Sequence, residues 1–265
     1  MSRSQLFKFL VVLAAAVILG LSGLFVFRSY EENKRKEAVV YPTKEVTIPE
    51  GYSAKQIDQL LVTAGIVREG GNIANFDISR FKDKYWFLKD AQGVEGFLFP
   101  DTYEFYLDST PEVVVGKFLD NFQDKTALIF MSREGAYDRV VLASLVEKEV
   151  PEGGDDRRLV AGLLVERMRE GMRLQVDATL CYAKEQSACS NIRSEDKHID
   201  SPYNTYAHAG LPPGPISNPG ISALRAALAP KKSDYRYYIS DPRTKKTIFA
   251  KTLDEHNQNI VKYLR

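Results

Sequence analysis

Two stretches of the chain carry side chains in patterns that chemistry could use. In VVLASLVEKEV, residues 140–150, Glu147 is set in a helix otherwise written largely in apolar letters. At about 100° per residue, Val140, Ala143 and Ser144 flank it, with Val150 close by. A carboxyl among small and apolar neighbours is costly as an anion, so its pKa should rise. That suits a general acid, which must hold its proton near neutral pH. Glu149 falls about 200° away on the wheel and is expected to support the acid from another face, not to share its task. The second stretch is SPYNTYAHAGLPPGPISNPG, Ser201 to Gly220. Its prolines and glycines exclude an ordinary helix or central strand. Proline also lowers the entropy of the unfolded chain, so such a loop can hold Tyr203, Asn204 and Thr205 in one arrangement, as the wall of a cleft requires.

The elements that must position these groups can be read from capping and periodicity. Glu45–Ile48 reads as a short strand ending at Pro49. Ser53 then caps a helix with Ile57, Leu60, Leu61 and Ala64 on one face, stopped by Gly65. Ile73–Asp90 is rich in aromatics and reads as core. Thr110-Pro111 starts a helix. Helices are expected at Pro111–Lys125, Asp138–Val150, Arg157–Glu170, Asp177–Lys184 and Ser222–Ala229. Arg236–Ser240 and Thr247–Lys251 alternate as a hairpin, and Thr252 to Glu255 opens a final helix as a capping box. The class is α+β, a mostly helical body with a small β element at each end.

The proline-dense loop resembles the signature loop of the MltG (YceG-like) endolytic murein transglycosylases. EGFLFPDTY (95–103), ASLVEKE (143–149), GMRLQVD (171–177) and DEHNQN (254–259) resemble that family's motifs in the same order. Two departures stand out. Glu166-Arg167 replaces an Asn-Arg pair, and Asp177-Ala178-Thr179 replaces Asp-Pro-Thr. The resemblance implies a lytic transglycosylase that cuts the β-1,4 bond between N-acetylmuramic acid and N-acetylglucosamine. One glutamate, Glu147 on this reading, protonates the leaving oxygen and then deprotonates the sugar's C6 hydroxyl, which closes a 1,6-anhydro ring. Gln175, Asp177, Tyr203, Asn204 and Thr205 would line the cleft. It further implies peptidoglycan as partner, with the glycan-polymerising synthases, and no cofactor. A wall-binding scaffold without turnover and a hydrolytic muramidase are the rival readings.

The 265 residues suffice for one medium domain and a small one. A net charge of +1 announces no basic face for nucleic acid. Phe9–Phe27 is uncharged, apolar and about long enough to span a bilayer, and it closes in bulky residues where a signal peptidase needs small ones. A retained single-pass anchor is therefore expected. Positive charges flank the run on both sides, so the extracytoplasmic placement of the body comes from the resemblance. The expected organisation is a cytoplasmic stub and anchor over 1–28, a linker over 29–43, a small LysM-like module over 44–90 and a catalytic domain over 91–265. Cys181 and Cys189, eight apart, form either a disulfide or two free thiols. His198 and His208 lack the partners of a metal site, and no metal is expected.

Overall fold

The computed structural model describes residues 13, 16–29, 42–150, 153–186, 189 and 192–264, in two compact units, residues 1–42 and 43–265. In the first unit, residues 16–29 form helix α1, whose Val17, Leu21, Phe25 and other large apolar side chains are exposed. No helix among the described residues is long and apolar enough to cross a membrane. Part of the expected span, residues 9–12, 14 and 15, lies outside the described residues, as does most of the expected linker.

The second unit mixes helices with two small antiparallel sheets, as the patterning anticipates. Strand β1 (Thr43–Thr47) pairs with β2 (Thr102–Tyr106), with Val46 opposite Tyr103. The period of two sends Val46, Tyr103 and Phe105 into the core and leaves their neighbours exposed. Because β2 lies beyond residue 90, the small module expected over 44–90 takes its second strand from the segment that follows it. Helix α2 (Ala54–Thr63) begins in a full capping box, in which Ser53 accepts from the Gln56 amide and Gln56 reaches back to Ser53. The aromatics of residues 73–90 run through three short 3-10 turns. Tyr85 and Phe87 are buried, and Phe87 meets Phe122 with ring centres 4.6 Å apart, so this stretch is core.

Helices α3 (Pro111–Thr126), α4 (Ala136–Glu149), α5 (Asp155–Arg169) and α6 (Asp177–Ala183) follow. Helix α4 is the central element. Every residue from Val140 to Glu147 is buried, so no face of that stretch is left to solvent. Helix α7 (Ile221–Leu228) packs on both α4 and α5, and hairpin β3 (Tyr237–Ser240) with β4 (Thr247–Ala250) packs on α8 (Leu253–Tyr263). Cys181 and Cys189 form a disulfide, with Cα atoms 5.5 Å apart. The proline loop lies against α4 through hydrogen bonds to Ser144. The Ile216 amide donates to Ser144 Oγ at 3.1 Å, and Ser217 Oγ donates to the Ser144 carbonyl at 3.1 Å.

That close approach depends on Gly96, which has φ +90°; a Cβ there would come within 2.5 Å of Pro215 and 2.9 Å of Val140. Gly96→Ala should combine backbone strain with overpacking and lower the stability of the 43–265 unit by on the order of 3 kcal/mol. Urea unfolding measures this, and a loss below about 1 kcal/mol would mean that the loop does not seat on α4 in this way.

Candidate active site

Sequence reasoning centres the chemistry on Glu147, and the structure gives that carboxylate a different occupation. Glu147 is 4 % exposed and faces Arg157 of α5, itself 2 % exposed. Arg157 Nη2 donates to Glu147 Oε1 at 2.6 Å, while its Nε donates to the Val150 carbonyl at 2.8 Å. The second carboxylate oxygen accepts from the Gly220 amide at 3.0 Å. Burial is the largest influence and leaves the carboxyl's pKa raised, as the apolar flank anticipates; Arg157's charge and the Gly220 amide pull it down, and the charge of Glu50 adds to the rise. The guanidinium stays charged in this range and also has Glu50 at 3.8 Å, so its charge opposes protonation of Glu147. The apolar flank thus raises this carboxyl's pKa and also encloses an ion pair.

Glu149, at the last turn of α4, has the properties expected of its neighbour. It is half-buried, and Tyr238 Oη donates to its Oε2 at 2.8 Å. Burial pushes its pKa up to about 7, helped by the charge of Asp177 and opposed by the Tyr238 hydrogen bond and Arg167. The helix C-terminus, rich in unpaired carbonyls, adds a further bias against the anion. Asp177 is exposed at the start of α6 and accepts from Tyr206 Oη at 2.6 Å. Arg167 braces the surroundings: Nη1 donates to the Leu174 carbonyl at 2.6 Å and Nη2 to the Arg236 carbonyl at 2.9 Å. One side chain thus fixes both the Gly171–Asp177 turn and the entry to the hairpin that carries Tyr238. Gln175 is exposed in that turn with φ +55°, its amide donating to the Thr205 carbonyl at 3.1 Å.

The loop residues divide. Asn204 is fully buried. Its Nδ2 donates to the carbonyls of Lys197 (3.1 Å) and Ile199 (2.8 Å), and its Oδ1 accepts from the amides of Tyr206 (2.9 Å) and Ala207 (3.3 Å). Thr205, also buried, accepts from the Val176 amide at 2.9 Å and bonds Thr179 Oγ1 at 3.0 Å. Both were expected to face substrate. Their polar atoms are spent inside the fold, because a tight loop without regular structure must satisfy its backbone locally. Tyr203 alone of the three opens onto a cavity.

That cavity has a volume of about 1020 Å³ and is bordered by the start of α2, residues 92–95, Lys148, α6 and Gly214–Ile216. Glu95 lies in its wall with a pKa raised to about 7, chiefly by burial. Glu95, Arg157, Tyr182 and Tyr238 are cavity-lining or bracing groups that the sequence alone did not single out. Glu95 opens the EGFLFPDTY block, so a signal was present for it; the others had none beyond their residue type.

Residues 24–262 match the sequence profile of the YceG-like family. A Bacillus subtilis protein named endolytic murein transglycosylase is 35% identical over 176 residues, which is 64% of this chain and 48% of that protein. A Streptococcus pneumoniae protein of the same name is 29% identical over 245 residues, 83% of this chain and 44% of its own length. The chain therefore spans about half the length of the curated relatives it matches. The crystal structure of a YceG-like protein from Listeria monocytogenes superposes with a TM-score of 0.70 at 34% identity, covering 83% of this chain and 76% of the other.

Two substitutions test the bracing roles. Glu147→Gln takes from Arg157 its nearest carboxylate, leaving Glu50 at 3.8 Å, and should cost about 3 kcal/mol of stability. Asn204→Ala strands several loop backbone groups and should cost on the order of 2 kcal/mol or more. A melting temperature within a degree of wild type for either variant would refute the corresponding role.

Proposed function

Because the chain belongs to the YceG-like family, we propose that it is an endolytic murein transglycosylase in which Glu149, not Glu147, carries the proton. The observation that supports this reading is the environment of Glu149: half-buried, hydrogen-bonded by a phenol and raised to about 7 with no cation in direct contact. The substrate would be a peptidoglycan strand and the bond the β-1,4 link from N-acetylmuramic acid to N-acetylglucosamine. Protonated Glu149 gives its proton to the glycosidic oxygen as the bond to the anomeric carbon breaks. Positive charge then develops at the ring, where the nearby carboxylate of Asp177 favours it. The Glu149 anion, held by Tyr238, takes the proton of the sugar's own C6 hydroxyl, and that oxygen closes the 1,6-anhydro ring. Water is not consumed, so the nucleophile arrives already tethered and orientation supplies much of the rate.

The Arg157–Glu147 pair serves this reading by fixing the backbone on both sides of Glu149. Gln175 and Asp177 stand exposed beside it as candidate substrate contacts. The apolar, uncharged run of residues 9–27 supports a single-pass inner-membrane anchor, with a small module and the catalytic part held together outside by the β1–β2 pairing. Such an anchor would keep the site where synthases extrude new strands.

Glu149→Gln should lower cleavage of purified wall by about a thousandfold or more while leaving the fold intact. Mass analysis of the wild-type digest should show ends one water lighter than reducing ends. Reducing ends would make the chain a muramidase, and activity of Glu149→Gln within tenfold of wild type would remove Glu149 from the role. The initial step needs the acid form, so the rate should fall as pH rises above about 7. The same carboxyl leaves a mark on stability. Its folded pKa is raised, so its contribution is complete below the unfolded value of 4.5 and is lost as pH rises through about 7. The melting temperature of Glu149→Gln, measured against wild type, should therefore be relatively higher at pH 8 than at pH 4.

A further inference from the structure

The 1020 Å³ cavity holds a second constellation that the proton chemistry at Glu149 does not use. Glu95 Oε1 is occupied, accepting from Asn218 Nδ2 at 2.8 Å and from the Ala54 amide at 3.0 Å. Oε2 shares that amide at 3.0 Å and has a long contact of 3.4 Å from Tyr182 Oη, and the Gly96 amide also favours the carboxylate. One carboxylate oxygen in the cavity wall thus retains capacity for a donor. Above it stand three half-buried tyrosines. The rings of Tyr182 and Tyr203 lie 4.9 Å apart at 48° to each other. The phenols of Tyr203 and Tyr137 converge over Gly214, where an added Cβ would sit 3.0 Å and 3.1 Å from the two oxygens. Gly214 therefore keeps open a space between two hydroxyls that any side chain would fill.

Aromatic faces, phenol hydroxyls that can donate or accept, and an acceptor with free lone pairs suit a ligand that is apolar on one face and polar at its edge. A pyranose with an acetamido group has that character. Its C–H face covers a ring, its amide N–H reaches a carboxylate, and its amide carbonyl takes a phenol proton. A lipid chain would offer the cavity-facing Glu95 oxygen no donor, and an anion would be repelled by the carboxylate.

We propose that this cavity is a saccharide subsite that holds an N-acetylated hexosamine of the strand, with Glu95 accepting from the acetamido N–H and Tyr182 and Tyr203 packing on the sugar. The proposal rests on the glycan reading of the Glu149 centre and extends it. Lys148, next in the chain to Glu149, lines the same cavity, so a strand seated there continues toward the reacting group. The subsite would reward chains with several sugars on one side of the scissile bond, which is what internal cutting requires.

The test is calorimetric titration of the full chain in detergent with chitotetraose, using Glu149→Gln as the uncleaving background. Adding Glu95→Gln turns the open acceptor into a donor and should weaken binding about tenfold or more, as should adding Tyr182→Ala. Tyr182→Ala leaves Glu95 tied to Ala54 and Asn218, so it reads the subsite even if Glu95→Gln folds poorly. Cellotetraose, which lacks acetamido groups, should bind at least tenfold more weakly than chitotetraose. Unchanged affinity in Tyr182→Ala, or equal affinity for the two sugars, overturns the subsite. Loss of cleavage in Glu149→Gln with unchanged affinity in the double variants overturns the subsite alone. Cleavage by Glu149→Gln with weakened affinity in the double variants overturns Glu149 alone.

Discussion

The proposed centre depends on one buried guanidinium. Arg157 reaches across from α5 and takes hold of α4 at two points, the Glu147 carboxylate and the Val150 carbonyl, which bracket Glu149 in the chain. The Val150 carbonyl lies just past the last helical turn, where carbonyls lack intrahelical partners, so Arg157 also caps α4. Gly220 closes the arrangement by donating its amide to the other Glu147 oxygen, which brings the end of the proline loop to the same place. Desolvating two charges is expensive, and a buried pair is weak evidence of net stability. What it provides is position. A lysine could not bond Val150 and Glu147 together with a rigid planar fork, so the identity of this residue matters as much as its charge.

Three glutamates show how surroundings sort one residue type into separate tasks. Glu147 has a cation at 2.6 Å that opposes the rise in pKa which burial imposes. Glu149 and Glu95 are desolvated with no cation in direct contact, and both rise to about 7. Their partners then distinguish them. Glu149 receives one phenol and feels Asp177 and Arg167 from opposite directions, an environment balanced for proton exchange. Glu95 is fixed by a main-chain amide and a side-chain amide from distant segments, which suits a group that must hold still.

Most of the fold was legible because local rules and the final structure agree. The Ser53 capping box, the Thr110-Pro111 start and the Thr252 cap mark helices that form where expected, although the Thr110 side chain makes no capping bond. The aromatics of residues 73–90 were legible as core by their size. The assignment of roles within ASLVEKE was not. A helical wheel reports the neighbours on one helix, but α4 is buried on all sides through residues 140–147, so its flanks all look apolar and the partner that decides comes from α5. Asn204 misled for a related reason. An amide suited to a sugar is equally suited to bracing a turn, and only the three-dimensional path of the loop shows which carbonyls it meets. The β1–β2 pairing, across more than fifty intervening residues, has no local signal at all.

The proline loop now has a different meaning from the cleft wall that its composition first suggests. Its inward groups, Asn204, Thr205 and Asn218, bind backbone. Asn218 alone accepts from the Leu98 amide at 2.8 Å and donates to the Tyr52 carbonyl at 3.0 Å, stitching the loop to segments more than a hundred residues earlier. Its outward groups are the two tyrosines of YNTY, three residues apart. Tyr203 turns to the cavity of Glu95, and Tyr206 binds Asp177 beside Glu149. A shift of the loop would therefore move both groups at once, which is the physical reason for bracing it so heavily. The prolines limit the conformations open to the unfolded loop, the asparagines select one of them, and the tyrosines deliver that single geometry to two places, the cavity of Glu95 and Asp177.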